Sequence, residues 1–316
     1  MLKKLLQPIV CFTLFITLFT ATSQAQSTDK KSEETATADK SYFKFDANYL
    51  INSVYLGRKD SLNLPYLTPT ISYIDKSGFY ASASFGYLLS KESKKIDYYS
   101  FDAGYEFTLS KKLSGSIAAN KSIYNDSSSN VSSSVGGSLS GSLNYDFGFL
   151  ELNSGLSASF AEKTDLGVDF TASRSFYLGE DGKQWTITPK AIVNFSTLHF
   201  YEGYTNRKIG KRQKNPLIIS STSTTTVTNK NSNNLALLDF ELSVPFSYDE
   251  KKWGIYCTPT LAIPQNAIET TTVTEIKFRS PPAPNPYQTI TTNSTPDSEK
   301  KLTSSFFIEF GVYFKF

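Results

Sequence analysis

From Ser41 to the carboxyl end, apolar residues fall on every second position over long stretches. In YFKFDANYLINSVYL, Phe43, Phe45, Ala47, Tyr49, Ile51 and Tyr55 share one face, while Lys44, Asp46, Asn48 and Asn52 share the other. A strand points successive side chains to opposite faces, so such a segment has one apolar and one polar side. The same phase recurs in Phe79, Ala81, Ala83, Phe85, Tyr87 and Leu89, and again in Phe101, Ala103, Tyr105, Phe107 and Leu109. The segment SSSNVSSSVGGSLSGSLNYDF has the composition of a linker. Its Val131, Val135, Leu139, Leu143, Tyr145 and Phe147 all occupy odd positions, however, and it reads as a further strand.

The pattern predicts twelve strands, near 41–57, 65–75, 78–89, 96–109, 113–124, 131–147, 149–161, 165–177, 185–200, 235–248, 253–264 and 302–316. Most exceed the 5 or 6 residues typical of soluble sheets and suffice to cross a bilayer at a tilt. Every second connection is a tight turn, at Asp75-Lys76-Ser77-Gly78, Ser110-Lys111-Lys112, Asp146-Phe147-Gly148, Glu180-Asp181-Gly182-Lys183 and Asp249-Glu250-Lys251-Lys252. The other connections include the two longest, 201–234 and 265–301. Short turns at one end and long loops at the other predict an all-β transmembrane antiparallel up-and-down β-barrel, with short periplasmic turns and longer extracellular loops. An even strand count puts both termini of the barrel on the periplasmic side. A count of ten or fourteen stays open if a long loop hides a hairpin, and a soluble β-sandwich is the competing architecture, though it has no need of such long strands.

The chain ends in Phe306, Ile308, Phe310, Val312, Phe314 and Phe316 on one face. This resembles the C-terminal signature of bacterial outer-membrane β-barrels, and the resemblance implies that Phe310, Val312, Phe314 and Phe316 form the signal read by the barrel assembly machinery of a Gram-negative outer membrane. Aromatics near strand ends, among them Phe43, Tyr55, Tyr73, Phe79, Phe176, Trp185, Tyr248 and Trp253, fit interfacial girdles. Lys121 and Arg174 fall on the apolar face, each placed by the pattern near a strand end where a long side chain reaches the interface.

Ahead of the barrel, Lys3 and Lys4 precede an uncharged apolar run from Ile9 to Phe19 and a small-polar stretch ending at Ala25. This predicts a signal peptide over 1–25, because the run is too short to span a bilayer. Residues 26–40 carry no large apolar side chain and read as a flexible periplasmic linker, leaving 41–316 for the barrel. Removal of 1–25 leaves Cys257 as the single thiol, so an intrachain disulfide has no second partner.

The 316 residues carry 32 Lys and Arg against 29 Asp and Glu, with 24 Phe and 19 Tyr but one His. The near balance of charge gives no footprint for nucleic acid. With only His199 to serve as a base, and no Ser-x-His or His-x-Ser pair, the sequence predicts neither an enzyme nor a metal or cofactor site. The polar parity is mostly small, including Ser82, Ser84, Gly104, Ser116, Ser140, Ser142, Ser157 and Thr171. Its charges are Asp46, Asp102, Glu106, Glu151, Asp169, Asp239, Glu241 and Glu309 against Lys44, Lys190 and Lys315. Eight acids to three bases around a low-dielectric wall attract cations, which predicts a narrow porin-like channel for small polar or cationic solutes. The alternative is a non-conducting structural or surface-recognition barrel with a filled interior, acting through loops 201–234 and 265–301. The TTTV segments of those loops have high β propensity and predict hairpins that project from the wall, and SPPAPNPYQTITTNSTP predicts an irregular tip. The basic residues Arg207, Lys208, Lys211, Arg212 and Lys214 read first as a solvated loop, with contact to outer-membrane lipid phosphates as the alternative.

Overall fold

The structure, a computed structural model, describes residues 40–59, 63–91, 93–180, 183–203, 221–229, 232–266, 270–278, 287–292 and 302–316. They belong to one compact unit, Thr37–Phe316. The expected signal peptide, the linker up to residue 39 and the basic run 207–214 lie outside the described residues, as does the Pro-rich tip except for Tyr287–Thr292, which is a strand and not the irregular chain expected there.

Seven strands follow one another around the wall as a meander: β1 (Tyr42–Leu50), β2 (Tyr66–Ile74), β3 (Phe79–Leu89), β4 (Lys94–Ser110), β5 (Leu113–Tyr124), β6 (Gly137–Asp146) and β7 (Glu151–Phe160). Three further staves of the barrel are each built from two segments. These are β8 (Thr164–Ser173) with β9 (Phe176–Glu180), β10 (Lys183–Ile187) with β11 (Lys190–Ser196), and β13 (Ala236–Ser243) with β14 (Phe246–Glu250). Then come β15 (Trp253–Pro264) and β18 (Ser305–Lys315), which pairs back onto β1 in the register Lys44↔Lys315 to Leu50↔Glu309. The fifteen segments of this sheet therefore make a closed antiparallel barrel of twelve staves.

The interruptions have one cause. Pro189 and Pro245 sit in the gaps of adjacent staves and Pro259 lies beside them in β15, and proline has no N–H to give to a ladder. Their carbonyls still accept, from Arg174 N (3.2 Å), Thr188 N (2.9 Å) and Val244 N (3.1 Å) respectively, so the wall is continuous through the seam. Arg174 lies at this seam within its stave, which corrects the strand-end position expected for it. Its guanidinium turns back over the Phe176 ring, 5.2 Å from the centroid.

Large apolar side chains cover the outside, with Phe45, Ile71, Phe101, Ile117, Leu139, Leu156, Phe170 and Leu242 all exposed. A soluble sandwich would bury such a face, and a continuous apolar belt of this extent is suited to lipid. At the turn end, Trp185, Tyr248 and Trp253 form an outer cluster across three adjacent staves, with centroids 4.9 and 5.8 Å apart. Phe43 N and Phe316 O also meet here, which brings both ends of the barrel chain to the side of the tight turns.

Three expected strands are shorter than the alternation suggests, among them the ninth, which ends at Ser196 and not at residue 200. The first ends at Leu50, where Ile51 N still bonds to Ile308 O at 3.0 Å, and Tyr55 leaves the wall. In the sixth, Val131–Ser134 is a 3-10 turn capped by Asn130, whose side chain accepts from Ser132 N, and the strand proper starts at Gly137. The two TTTV segments also depart from expectation. They pair with each other, β12 (Ser221–Asn229) against β16 (Thr270–Phe278), and β17 (Tyr287–Thr292) joins them in a separate three-stranded sheet rather than in extensions of the wall.

Candidate functional site

The inner face carries the polar parity, and it divides into two halves. From β5 to β8 it is small and hydroxylic. Ser116 and Ser142 share a hydrogen bond of 2.9 Å, and Ser140 is exposed to the interior space. Around β15, β18 and β1 to β4 the same face carries tyrosines and carboxylates. Asp46 is buried and accepts from Tyr256 Oη at 3.2 Å, with Lys44 Nζ at 3.6 Å; Glu309 accepts from the same Tyr256 hydroxyl at 3.3 Å. Asp102 accepts from Asn120 Nδ2 at 2.7 Å and from Ser100 Oγ at 3.4 Å. Asp239 accepts from Asn194 Nδ2 at 2.8 Å and lies next to Glu241 on the same face of β13. Glu106 is exposed and within electrostatic reach of Tyr42 and Tyr80. Asp169 lies across Gly155, and Glu151 and Lys190 flank Ser173 on consecutive staves. The residues of the C-terminal pattern lie on the other face, with Phe310, Phe314 and Phe316 exposed and Val312 half-buried.

Four inner tyrosines stand directly opposite a glycine on the next strand: Tyr80↔Gly104, Tyr98↔Gly86, Tyr256↔Gly311 and Tyr313↔Gly254. In each pair a β-carbon on the glycine would collide with the ring, so the ring lies flat along the wall over bare backbone. A tyrosine standing upright would fill the lumen; one laid over glycine leaves it room.

The loop end is not simply open. Residues 51–58 leave β1 and return as a tight hairpin, with Tyr55 N to Arg58 O at 2.8 Å and Arg58 N to Tyr55 O at 3.0 Å, turning on Leu56 and Gly57 with φ of 48° and 73°. Leu56 and Tyr55 pack on a buried apolar cluster of Val131, Val135, Leu198, Phe200 and Leu238. Tyr55 meets Phe200 edge to face at 4.9 Å. It belongs to this plug and not to an interfacial girdle, and Val131 and Val135 face the plug and not lipid, which corrects both expectations.

Two carboxylates tie the plug to the wall. Asp165, at the start of β8, accepts from Thr197 Oγ1 (2.6 Å), His199 N (2.7 Å), His199 Nδ1 (3.0 Å) and Phe200 N (2.6 Å), and so holds the first residues of the helical turn 199–203. The other ring nitrogen of His199 is 2.8 Å from Asn233 Oδ1, so the side chain is engaged on both sides. Asp97 accepts from Tyr66 Oη and Ser128 Oγ, both at 2.6 Å, with Lys95 Nζ at 3.5 Å.

Neither anchor is among the inner charges expected from the alternation. Asp97 is the extra residue of a β-bulge, because Gly86 faces Tyr98 while Tyr87 faces Ile96. The bulge turns an odd position of β4 inward, against the phase of the strand. Leu238 is the extra residue of a second bulge, since Asn194 faces Asp239 while Phe195 faces Leu237, and it too is turned inward, to 0% exposure. Asp165 keeps the phase of Asp169, and parity alone would have found it.

No protein-family model matches the chain, and no curated protein matches it in sequence. Among solved structures it is similar to the KdgM porin, at 11% identity and a TM-score of 0.43, over 86% of this chain and 99% of that one. It is also similar to the outer membrane channel DcaP of Acinetobacter baumannii (9%, TM-score 0.27, 87% and 96%) and to Salmonella typhi OmpF (8%, TM-score 0.28, 87% and 97%).

Proposed function

We propose that this outer-membrane β-barrel is a narrow pore in the outer membrane of a Gram-negative bacterium, passing small cationic and neutral polar solutes. What carries the reading is the inner face. Twelve strands enclose more space than the eight that side chains can just fill. Here that space is bordered by serines and glycines on one side and by flattened tyrosines on the other, and its charge is dominated by carboxylates, with Glu106 exposed and Asp102 half-buried. In a wall of low dielectric such unbalanced negative charge concentrates cations and repels anions. The plug narrows the mouth and sets an upper size for what enters. Asp102, Glu106 and Glu241 are the residues assigned to cation attraction, with Asp46 and Glu309 held by Tyr256, Asp46 also by Lys44, and Asp239 buried beneath the mouth hairpin against Asn194.

Outer-membrane lipid surrounds the belt, and the aromatic run Phe310, Val312, Phe314 and Phe316 serves as the signal for the barrel assembly machinery. The test is recording from the mature protein in a planar bilayer. Discrete current steps support the pore; a folded, heat-modifiable protein that never conducts overturns it and moves attention to the loops.

A further inference from the structure

We infer that the flattened tyrosines Tyr80 and Tyr256 are binding steps for organic ammonium ions, so that the solutes this pore favours are alkyl amines and not simple metal cations. The inference rests on the pore reading and narrows its solute class.

The rings supply the argument. Each is an inner-face side chain whose ring lies over a glycine of the neighbouring strand, Tyr80 on Gly104 and Tyr256 on Gly311, and each is half-buried. An aromatic face carries the negative part of the ring quadrupole and attracts a cation held above it. The protein demonstrates this with its own side chains at the turn end. Lys44 Nζ sits 4.5 Å from the centroid of Tyr313, and Lys315 Nζ lies 5.3 Å from Tyr313 and 5.8 Å from Tyr42. Tyr313 is thereby covered, at 7% exposure, whereas Tyr80 and Tyr256 are half-buried, and among the described residues no lysine or arginine lies over either ring.

Each uncovered ring has carboxylates beside it. Tyr256 donates to Asp46 and Glu309, and Tyr80 has Asp102 and Glu106 within electrostatic reach. Carboxylates alone would attract any cation. A flat ring beside them discriminates, because an alkylammonium keeps its methylenes in contact with the aromatic surface and gives up less hydration than a small metal ion on leaving water. The hydroxylic half of the wall, with Ser116, Ser140 and Ser142, offers acceptors to the further ammonium groups of a polyamine.

The experiment uses the whole mature protein in a planar bilayer with symmetric KCl, with spermidine or the neutral trisaccharide maltotriose added to one side. Voltage-dependent block by spermidine, with none by maltotriose at the same concentration, is the expected result. Replacing both rings, Tyr80→Leu with Tyr256→Leu, raises the half-blocking concentration about tenfold, while Tyr80→Phe, which keeps the ring, leaves it within about twofold. If the leucine variant fails to insert, the unmodified protein still decides: the alkyl diamine putrescine blocks at a lower concentration than magnesium of the same charge, and equal block by the two overturns the inference. A pore that conducts potassium but is not blocked by spermidine, or is blocked equally by maltotriose, overturns this inference and leaves the pore reading standing. A protein that never conducts removes both.

Discussion

Gly57 is pressed against Asp239 so closely that a β-carbon at position 57 would lie 2.8 Å from Asp239 Cβ and 3.3 Å from Pro264 Cα. The tip of the mouth hairpin thus rests directly on the inner wall, and a left-handed backbone at φ 73° is needed to turn there. Gly57→Ala meets both obstacles, with a cost on the order of 1–3 kcal/mol concentrated in the hairpin. The expected outcome is a mouth hairpin displaced from β13 and a larger unitary conductance, with heat-modifiability of the barrel retained. Single-channel amplitude checks it, and an unchanged amplitude would show that the hairpin does not narrow the path.

Asp165 supports the helical turn of the plug through four hydrogen bonds from Thr197, His199 and Phe200. Asp165→Ala leaves buried donors and the His199 ring without their acceptor, a loss of roughly 3–5 kcal/mol local to the plug. Hydrogen exchange should show faster exchange at His199 and Phe200, while the amides of β6 and β7 stay protected. Uniform loss of protection would mean that Asp165 supports the barrel as a whole.

Leu238 and Leu242 separate the inside of the wall from the outside in one strand. Leu238 is at 0% exposure in the plug cluster and Leu242 at 50% on the outer face. Truncating a fully buried leucine costs about 2–5 kcal/mol through lost contacts and the cavity left behind. In detergent, Leu238→Ala should lower the urea midpoint clearly and Leu242→Ala much less, measured by tryptophan fluorescence. Equal effects would contradict the inward turn that the bulge imposes.

The tight turn between β2 and β3 carries a pH signature. Asp75 accepts from Ser77 N (2.9 Å), Ser41 Oγ (2.7 Å) and Tyr73 Oη (3.0 Å), and these bonds, those from Ser77 foremost, hold its carboxyl below the usual range. A lowered folded value means that the bonds are fully present above the unfolded carboxylate value, about 3.9, and are lost only as the pH falls through the lower folded one. Protection of the Ser77 amide should therefore persist at pH 4 and disappear only in stronger acid. Loss already near pH 5 would refute the arrangement.

The wall was legible in the sequence because a lipid-facing strand gives alternation a single meaning: Phe101, Ala103 and Tyr105 face out because Ser100, Asp102 and Gly104 face in. The mouth was not, for three physical reasons. Bulges at Asp97 and Leu238 reverse the phase locally, and a pattern read by parity cannot register an inserted residue. Val131 and Val135, spaced by serines, look the same whether they face lipid or an internal plug. The proline seam interrupts three staves without changing which way their side chains point, so the alternation hid the breaks. Among the candidate charges, Asp46, Asp239 and Glu309 proved to be engaged by neighbours that belong to distant parts of the chain, such as Tyr256 beside Asp46, and such pairings depend on barrel closure.

The reversal potential of the reconstituted pore across a KCl gradient tests the central claim most directly. The predicted result is a potential of the sign that potassium carries, shifted toward zero by Asp102→Asn, Glu106→Gln and Glu241→Gln together. A potential of the chloride sign, or no shift on neutralising these three carboxylates, would contradict the assignment of the inner face as a cation-attracting path.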